Sequence, residues 1–263
     1  MESASDSTAA VPVPPRGPAR RGLAVWLGGR IGLDDYWSLA ERLAWEVSEP
    51  GGRPPTLLVS ELEPTITIGR LGSRADVDFS AEDLRSRGLD VRFVGRGGGA
   101  VLHGPGQVFV ALFTALEDLG LGRHDVGGYV ERFQAGLEAA MGRLGVNPGR
   151  RPGRHGLFGR TGLLATVGIA VRRGVASHGG FVNVCPALEP FRQVHVAAAG
   201  GEGVVTMGSL EAEIRRKVRM QDARTALVEG LAAACGFPRT QIQSGFPFAI
   251  PQPAGQARFS RVG

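Results

Sequence analysis

The stretch Arg96-Gly-Gly-Gly-Ala-Val-Leu-His103-Gly-Pro-Gly-Gln107 carries the strongest pattern in the chain. Residues 91–94 before it and residues 108–113 after it are strand-like, so the pattern predicts a glycine-rich loop between two strands. Three consecutive glycines have no Cβ atoms, and a ligand can therefore approach their backbone closely. The Gly-Pro-Gly turn that follows fixes the direction in which the chain leaves the loop.

Two side chains give this loop a chemical character. Arg96 is a permanent cation, and His103 can carry or donate a proton. The combination suits a ligand that is anionic or that carries an acyl group. A glycine-rich hairpin without any ligand remains an alternative, because glycines alone are a weak signal.

Composition limits the class of protein. The chain has 263 residues, which allows one medium domain or two small ones, and 43% apolar residues, which is enough for a substantial core. No run approaches the roughly 18 apolar residues of a membrane helix, and the first residues lack the layout of a secretory signal. We therefore expect a soluble, cytoplasmic protein, and we expect it to be a monomer. Cys185 and Cys235 fit neither a disulfide scaffold nor a metal motif, so we expect no metal and no cofactor.

The charge balance is basic, at a formal net charge of +5. Lys217 is the only lysine, so the excess of arginine reflects GC-rich codon usage. Aromatic residues are sparse and no basic helix carries them at intervals, so nucleic-acid and membrane partners are not expected. A mildly basic surface can instead attract an acidic protein partner.

The order of elements predicts one α+β domain around a mixed sheet. We expect a disordered tail over residues 1–21, a domain over residues 22–242 and a loosely ordered tail over residues 243–263. Predicted strands cover residues 23–27, 56–60, 66–68, 91–94, 108–113, 163–171 and 175–184. Predicted helices begin at Asp34, Ser80, Asp125, Ser209 and Gln221, and the first carries a buried face of Tyr36, Leu39, Ala40, Leu43 and Val47. Residues 149–156 are predicted to be an arginine- and glycine-rich link, and Lys217 is placed in a C-terminal helix.

Four segments together resemble one family. They are the motif from Arg96 to Gln107, Pro-Thr-Ile-Thr-Ile-Gly-Arg at 64–70, Ile-Ala-Val-Arg-Arg-Gly at 169–174 and Ser-His-Gly-Gly-Phe-Val-Asn at 177–183. In this combination the chain resembles the lipoyl(octanoyl) transferases over most of residues 23–215. The glycine run is also similar to that of lipoate–protein ligases, which share the fold. The resemblance implies the biotin/lipoyl protein ligase fold, a mixed β-sheet with flanking helices and an acyl-binding tunnel.

The resemblance also implies an activity and a set of binding residues. Members of the family move an octanoyl group from acyl carrier protein to a lysine of a lipoyl domain, in a 2-oxoacid dehydrogenase or in the glycine cleavage H protein. The binding positions carried over to this chain are Arg96, Gly97, Gly98, Gly99, His103, Gly104, Gly106, Gly168, His178, Gly179 and Asn183.

The family's two catalytic residues have no match here. Transferases that this chain resembles use a cysteine nucleophile and a lysine that activates it, and the matching positions hold Ala197 and Leu163. Cys185 is a candidate for a relocated nucleophile, with His103, His178 or His195 as the base or cation that lowers the pKa of its thiol. The alternative is that Cys185 is a small thiol packed as an apolar residue.

Three functions therefore stay open. The first is an octanoyltransferase with displaced catalytic residues and impaired or altered catalysis. The second is a non-catalytic relative that binds an acyl chain, a carrier protein or a lipoyl domain. The third is an ATP-dependent lipoate–protein ligase, which Leu163 disfavours because that reaction also relies on a lysine in the pocket.

Overall fold

Two β-sheets meet in this fold. The computed structural model describes residues 22–196 and 205–248, and eight strands in this part form a large sheet while three form a small one. The strands are β1 Leu23–Ile31, β2 Thr56–Leu62, β3 Thr65–Ile68, β4 Asp90–Phe93, β5 Ala100–His103, β6 Gln107–Ala115, β7 Gly149–Arg151, β8 Arg154–Gly159, β9 Gly162–Arg172, β10 Val175–Asn183 and β11 Thr240–Ser244. The large sheet has the order β11-β1-β2-β6-β10-β9-β8-β7, and the small sheet has the order β4-β3-β5.

Both sheets are mixed, as predicted. In the large sheet β1 runs parallel to its two neighbours, β11 and β2, and the remaining pairs are antiparallel. In the small sheet β3 is parallel to β4 and antiparallel to β5. The predicted α+β class with a mixed sheet is confirmed.

Helices cover the large sheet on both faces. They are α1 Leu33–Ser48, α2 Ala81–Arg87, α3 Val126–Arg143, α4 Leu210–Ile214 and α5 Met220–Cys235. Helix α1 packs on β6 and β10, and the five apolar positions predicted for its inner face are all buried. Helices α3 and α5 pack against each other and bury a separate apolar cluster that includes Leu57, Val110 and Ala165 of the sheet.

Two of the predicted helix starts, Ser80 and Asp125, lie at capping residues. The Ser80 side chain accepts a hydrogen bond from the Asp83 amide at the start of α2, and Gly88 ends that helix in a left-handed conformation. The Asp125 side chain likewise accepts a hydrogen bond from the Gly128 amide at the start of α3. These short-range contacts need no knowledge of the rest of the fold.

Three expectations differ from the structure. Residues 149–156 are not a link, because β7 and the first half of β8 lie there. The polar residues of this segment do not alternate with apolar ones, so the sequence gives no strand signal. The two strands form because their backbones pair at the edge of the sheet. Lys217 lies between α4 and α5 rather than in a helix. Strand β11 extends two residues beyond the boundary expected at 242 because it pairs with β1.

The small sheet lies against one end of the large sheet through an apolar cluster. Ile66, Ile68 and Leu102 of the small sheet share this cluster with Phe158 and Leu163 of the large sheet. The glycine loop therefore lies at the seam between the two sheets. Among the helices of residues 22–196 and 205–248, none combines the length and apolar character needed to cross a bilayer.

Candidate functional site

Backbone hydrogen bonds fix the glycine loop at the seam. The Gly97 amide donates to the Ile169 carbonyl of β9 at 2.9 Å, which ties the loop to the large sheet. The Leu71 amide donates to the Gly98 carbonyl at 3.0 Å, which ties it to the small sheet. Gly98 has a φ of +81°, a conformation that favours glycine. The loop is therefore held in one shape by both sheets.

Arg96 lies buried beneath this loop, with only 5% of its surface exposed. Its Nη2 donates to the carbonyl and to Oγ1 of Thr67, at 3.0 and 2.7 Å, and to the Gly99 carbonyl at 3.0 Å. Its Nη1 donates to the Gly97 carbonyl at 2.9 Å, while its Nε has no partner. Burial lowers the pKa of the guanidinium to about 10, so Arg96 remains a cation at neutral pH.

His103 lies at the end of β5 and is also buried. Its Nε2 is 2.7 Å from Thr67 Oγ1, its ring is 4.1 Å from that of Phe181, and its Nδ1 has no partner. Burial, and then the charge of Arg96, hold the pKa of His103 well below its ordinary value. The imidazole is therefore neutral, and it packs against Phe181 with the two rings tilted by 37°.

His178 lies on β10 with a φ of +61°, which is uncommon for a residue with a side chain. Its Nδ1 is 2.7 Å from the Tyr36 hydroxyl, and its ring is 4.5 Å from the ring of Trp37. Burial lowers the pKa of His178 to about 3, with the positive charges of Arg96, Arg172 and Arg70 acting in the same direction. This imidazole too is neutral.

A cleft, the central pocket, opens beside the glycine loop. Its space amounts to about 540 Å³ including the open mouth. The predicted binding residues Arg96, Gly98, Gly99 and Gly168 line it, and Leu163 forms part of its wall. Its other lining residues are Val101, Arg154, His155, Gly156, Phe158, Thr166, Val167, Phe181, Val196 and Val205.

Other predicted binding residues support the pocket from outside its lining. Asn183 is buried, and it accepts a hydrogen bond from Gln107 Nε2 at 2.9 Å while donating to the Leu163 carbonyl at 3.2 Å. Gly106, with a φ of +85°, lies so close to the Cys185 carbonyl that a Cβ would be 2.7 Å from it. A Cβ on Gly179 would be 2.9 Å from the Phe133 ring. His103 and Gly104 line a neighbouring, proline-rich cleft instead.

Cys185 does not line the central pocket. It follows β10 on the exposed surface, and its Sγ is 4.0 Å from Met220 Sδ at the start of α5. Burial, with Glu211 and Glu61, raises the pKa of this thiol, and Lys217 only opposes the shift. A raised pKa keeps the thiol protonated, which is unfavourable for a nucleophile. Ala197, at the family cysteine position, lies outside the described residues.

Several site residues were missed by sequence reasoning. Arg154 and His155 line the pocket but fell in the segment interpreted as a link. Thr67, which joins Arg96 to His103, carried one signal, since it is a polar residue inside an apolar strand. Tyr36 was assigned to the core, and nothing in its helical spacing indicates that its hydroxyl reaches His178.

Comparisons with known proteins give the family. A family model described as the lipoyl protein ligase A/B catalytic domain matches residues 34–232. The octanoyltransferase of Geobacter sulfurreducens is 34% identical over 198 residues, which cover 75% of this chain and 78% of that protein. The octanoyltransferase of Geotalea uraniireducens is 34% identical over 196 residues, covering 74% of this chain and 85% of that protein.

Solved structures show the same fold at low sequence identity. A lipoate-protein ligase A bound with ATP is 15% identical, with a TM-score of 0.66 over 85% of this chain and 90% of that one. A bi-partite lipoate protein ligase from Thermoplasma acidophilum is 15% identical, with a TM-score of 0.63 over 86% of this chain and 88% of that one. The predicted ligase-like fold is therefore confirmed, and the chain belongs to the lipoyl protein ligase A/B catalytic domain family, in which its curated relatives are octanoyltransferases.

Proposed function

We propose that the protein binds an octanoyl-type acyl group in the central pocket and transfers it to a lysine of a lipoyl domain. The observation that carries this proposal is a largely apolar pocket that is lined by a cation, Arg96, and by the glycine loop, whose backbone has no Cβ atoms at Gly98 and Gly99. Acyl carrier protein is the proposed donor, as a thioester. The names of the relatives support octanoyl transfer.

The acyl group fits this pocket in one direction. Its carbonyl lies at Gly98 and Gly99, where a ligand can approach the backbone and where Arg96 favours negative charge on the oxygen. Its chain follows the apolar side chains of Val101 and Phe181. The reacting carbon is thereby near the open mouth, where an incoming lysine can reach it.

The chain offers no cysteine–lysine pair for a covalent intermediate. Leu163 is 3% exposed in the pocket wall and supplies no charge. The two cysteines and the single lysine are Cys185, Cys235 and Lys217, all among the described residues, and none of them lines the central pocket. Cys235 is the last residue of α5 and is buried in the core, where burial raises the pKa of its thiol to about 11.

We therefore propose direct transfer. The lysine amine of the lipoyl domain attacks the thioester carbonyl, so that a C–N bond forms and the C–S bond breaks. The carrier thiol leaves and gains the proton that the amine loses, through solvent at the pocket mouth. Holding the two reactants in position lowers the barrier without a protein nucleophile, and we expect slower transfer than a covalent mechanism gives.

Intact-protein mass spectrometry tests this mechanism. The full chain is mixed with octanoyl-acyl carrier protein, with and without an apo lipoyl domain, beside a Cys185→Ala variant. We expect the lipoyl domain to gain one octanoyl group, the protein itself to gain none, and the variant to behave as the wild type. An octanoyl adduct on the protein that is lost in Cys185→Ala would contradict direct transfer and establish a relocated nucleophile.

A second candidate is a non-catalytic acyl- or carrier-binding relative, and the apolar Leu163 in the pocket wall favours it. In that case neither protein gains mass, while the chain still binds octanoyl-acyl carrier protein. A parallel reaction with free octanoate and ATP, in place of octanoyl-acyl carrier protein, tests whether the protein is an ATP-dependent ligase. Modification of the lipoyl domain only in that reaction would replace the transferase proposal.

A further inference from the structure

A line of aromatic rings leads from the central pocket towards helix α1. Phe181, in the pocket wall, stacks on Phe109 with ring centroids 4.9 Å apart. Phe109 meets the edge of Tyr36 at 4.7 Å, and Tyr36 lies 5.6 Å from the ring of His178. The last contact is between His178 and Trp37, at 4.5 Å. The rings form one continuous wall.

Three spaces follow this wall and share residues. The central pocket shares Arg96, Gly168 and Phe181 with an inner cavity, whose space amounts to about 270 Å³ on the same measure. That inner cavity shares Trp37 and His178 with an outer groove of about 800 Å³, open to solvent, between α1 and the β9–β10 hairpin. The three spaces are thus neighbours along the wall, the inner cavity is the smallest of them, and Trp37 and His178 lie between it and the outer groove.

Trp37 and His178, between the inner cavity and the outer groove, are held in place by several contacts. The Tyr36 hydroxyl and His178 Nδ1 are 2.7 Å apart in a buried hydrogen bond, which fixes the imidazole. The backbone of His178 has a φ of +61°, a conformation that costs free energy for any residue with a Cβ. Trp37 meets this ring edge-on, at an interplanar angle of 67°.

We propose that Trp37 and His178 form the stop that limits the length of the acyl chain. This inference rests on the proposed function, because it takes the central pocket as the acyl site. An octanoyl-type chain ends at the stop, and a longer chain has to displace these two rings to enter the outer groove. Removal of either ring joins the inner cavity to the groove, which then receives the far end of the chain.

The size of the effect follows from burial of methylene groups. Each methylene that moves from water into an apolar channel improves binding by about fourfold. Four additional methylenes that find room in the groove therefore change the preference between octanoate and dodecanoate by more than about tenfold, even if their burial is incomplete. In the wild type the stop keeps these methylenes out of the groove, so they add nothing to binding.

Binding of fatty acids to the full chain tests the stop. Octanoate, dodecanoate and hexadecanoate are titrated by calorimetry into the wild type, Trp37→Ala and His178→Gly. Glycine adopts the φ of +61° without strain, so the second variant opens the path with little change to the backbone. The matched control is Trp45→Ala, because Trp45 lies two turns further along the same helix and is 63% exposed.

We expect the wild type and Trp45→Ala to prefer octanoate, and both open variants to shift by about tenfold or more towards dodecanoate. Wild-type octanoate binding with an unchanged preference in the open variants would overturn the inference and leave the proposed function standing. A wild type that binds no octanoate would overturn the acyl pocket itself. Circular dichroism of each variant shows whether it is folded. If either Trp37→Ala or His178→Gly does not fold, the chain-length preference of the other tests the inference.

Discussion

At the scale of single residues, Arg96 holds the site together. Its guanidinium joins the glycine loop to β3 through Thr67, and it is buried without a carboxylate partner among the described residues. A guanidinium suits this role, because it is planar and has several N–H donors, which can satisfy carbonyl groups of two segments at once. The residue that we propose to face the acyl group is thus also one that holds the shape of the pocket.

Arg96→Lys is expected to lower the free energy of unfolding by about 2–3 kcal/mol, because an ammonium cannot make the same set of bonds and leaves buried carbonyls unsatisfied. The measurement is urea unfolding. Arg70→Lys is the control, since exposed Arg70 donates one side-chain bond, to the Gly95 carbonyl, and a change within about 0.5 kcal/mol is expected there. Equal effects of both substitutions would contradict the role given to Arg96.

The sequence predicts part of the site at this scale. Arg96, His103 and Gly98 were found because one local motif contains them. Thr67 and Tyr36 were not, because their partners lie 29 and 142 residues away along the chain, and only the folded structure brings them together. Cys185 was a candidate for the opposite reason: it is close in sequence to Asn183, yet its side chain is exposed beyond the end of the strand.

At the scale of elements, helices α3 and α5 cross at a pair of glycines. A Cβ on Gly136 would lie 2.9 Å from the Leu231 Cα atom, and a Cβ on Gly230 would lie 2.9 Å from the Ala140 amide nitrogen. The two helix backbones therefore approach closely, and at Gly136 and Gly230 there is no room for a Cβ atom.

Gly136→Ala is expected to cost about 1–3 kcal/mol of unfolding free energy, since the added methyl group forces the two helices apart. Gly142→Ala, on the same helix, is the control. Nothing lies within 4 Å of a Cβ at Gly142, so alanine should stabilise the helix by about 0.5–1 kcal/mol. Thermal unfolding of both variants decides the matter, and a destabilised Gly142→Ala would contradict this account of the crossing.

Elements with a strong apolar period were predicted well, and those without one were not. The buried face of α1 follows from its spacing alone. Strands β7 and β8 were missed because Arg150, Arg151 and Arg154 give no alternation, and the strands exist only because β9 offers a partner. Edge strands of this kind are decided by tertiary pairing, which local reasoning does not contain.

At the scale of the whole molecule, two neutral histidines are enclosed within the fold. The pKa of each is lowered in the folded state, chiefly by burial. The unfolded chain therefore binds more protons than the folded chain once the pH falls below about 6.5, and the free energy of unfolding decreases as the pH falls. For His178 this loss continues until the pH reaches its folded pKa of about 3.

We expect the wild type to lose about 2 kcal/mol of unfolding free energy through His178 between pH 6.5 and pH 5, in addition to the loss through His103. His178→Gln removes the first contribution, so its loss over the same interval should be smaller by that amount. His124→Gln, at an exposed loop position, should follow the wild type. Urea unfolding at the two pH values makes the comparison, and parallel curves for His178→Gln and the wild type would be inconsistent with a buried neutral imidazole.

The family and the fold class could be predicted from sequence motifs, because those motifs belong to one contiguous glycine loop and two neighbouring strands. The seam between the two sheets could not, since no local pattern states how the sheets pack. The seam is nevertheless what makes the pocket: Leu163 and Phe158 of one sheet and Val101 of the other line it together. Family membership thus places the site, and packing determines its shape.

The position of β1 has a consequence for how the chain is made. This strand is paired on one side with β2, which follows closely, and on the other with β11, which is synthesised roughly 200 residues later. During translation the outer edge of β1 therefore stays open until almost the whole domain has left the ribosome. Pairing over such a separation is slow, and an open edge can recruit strands of other chains. Chaperones that shield a nascent sheet edge would act on this protein at β1.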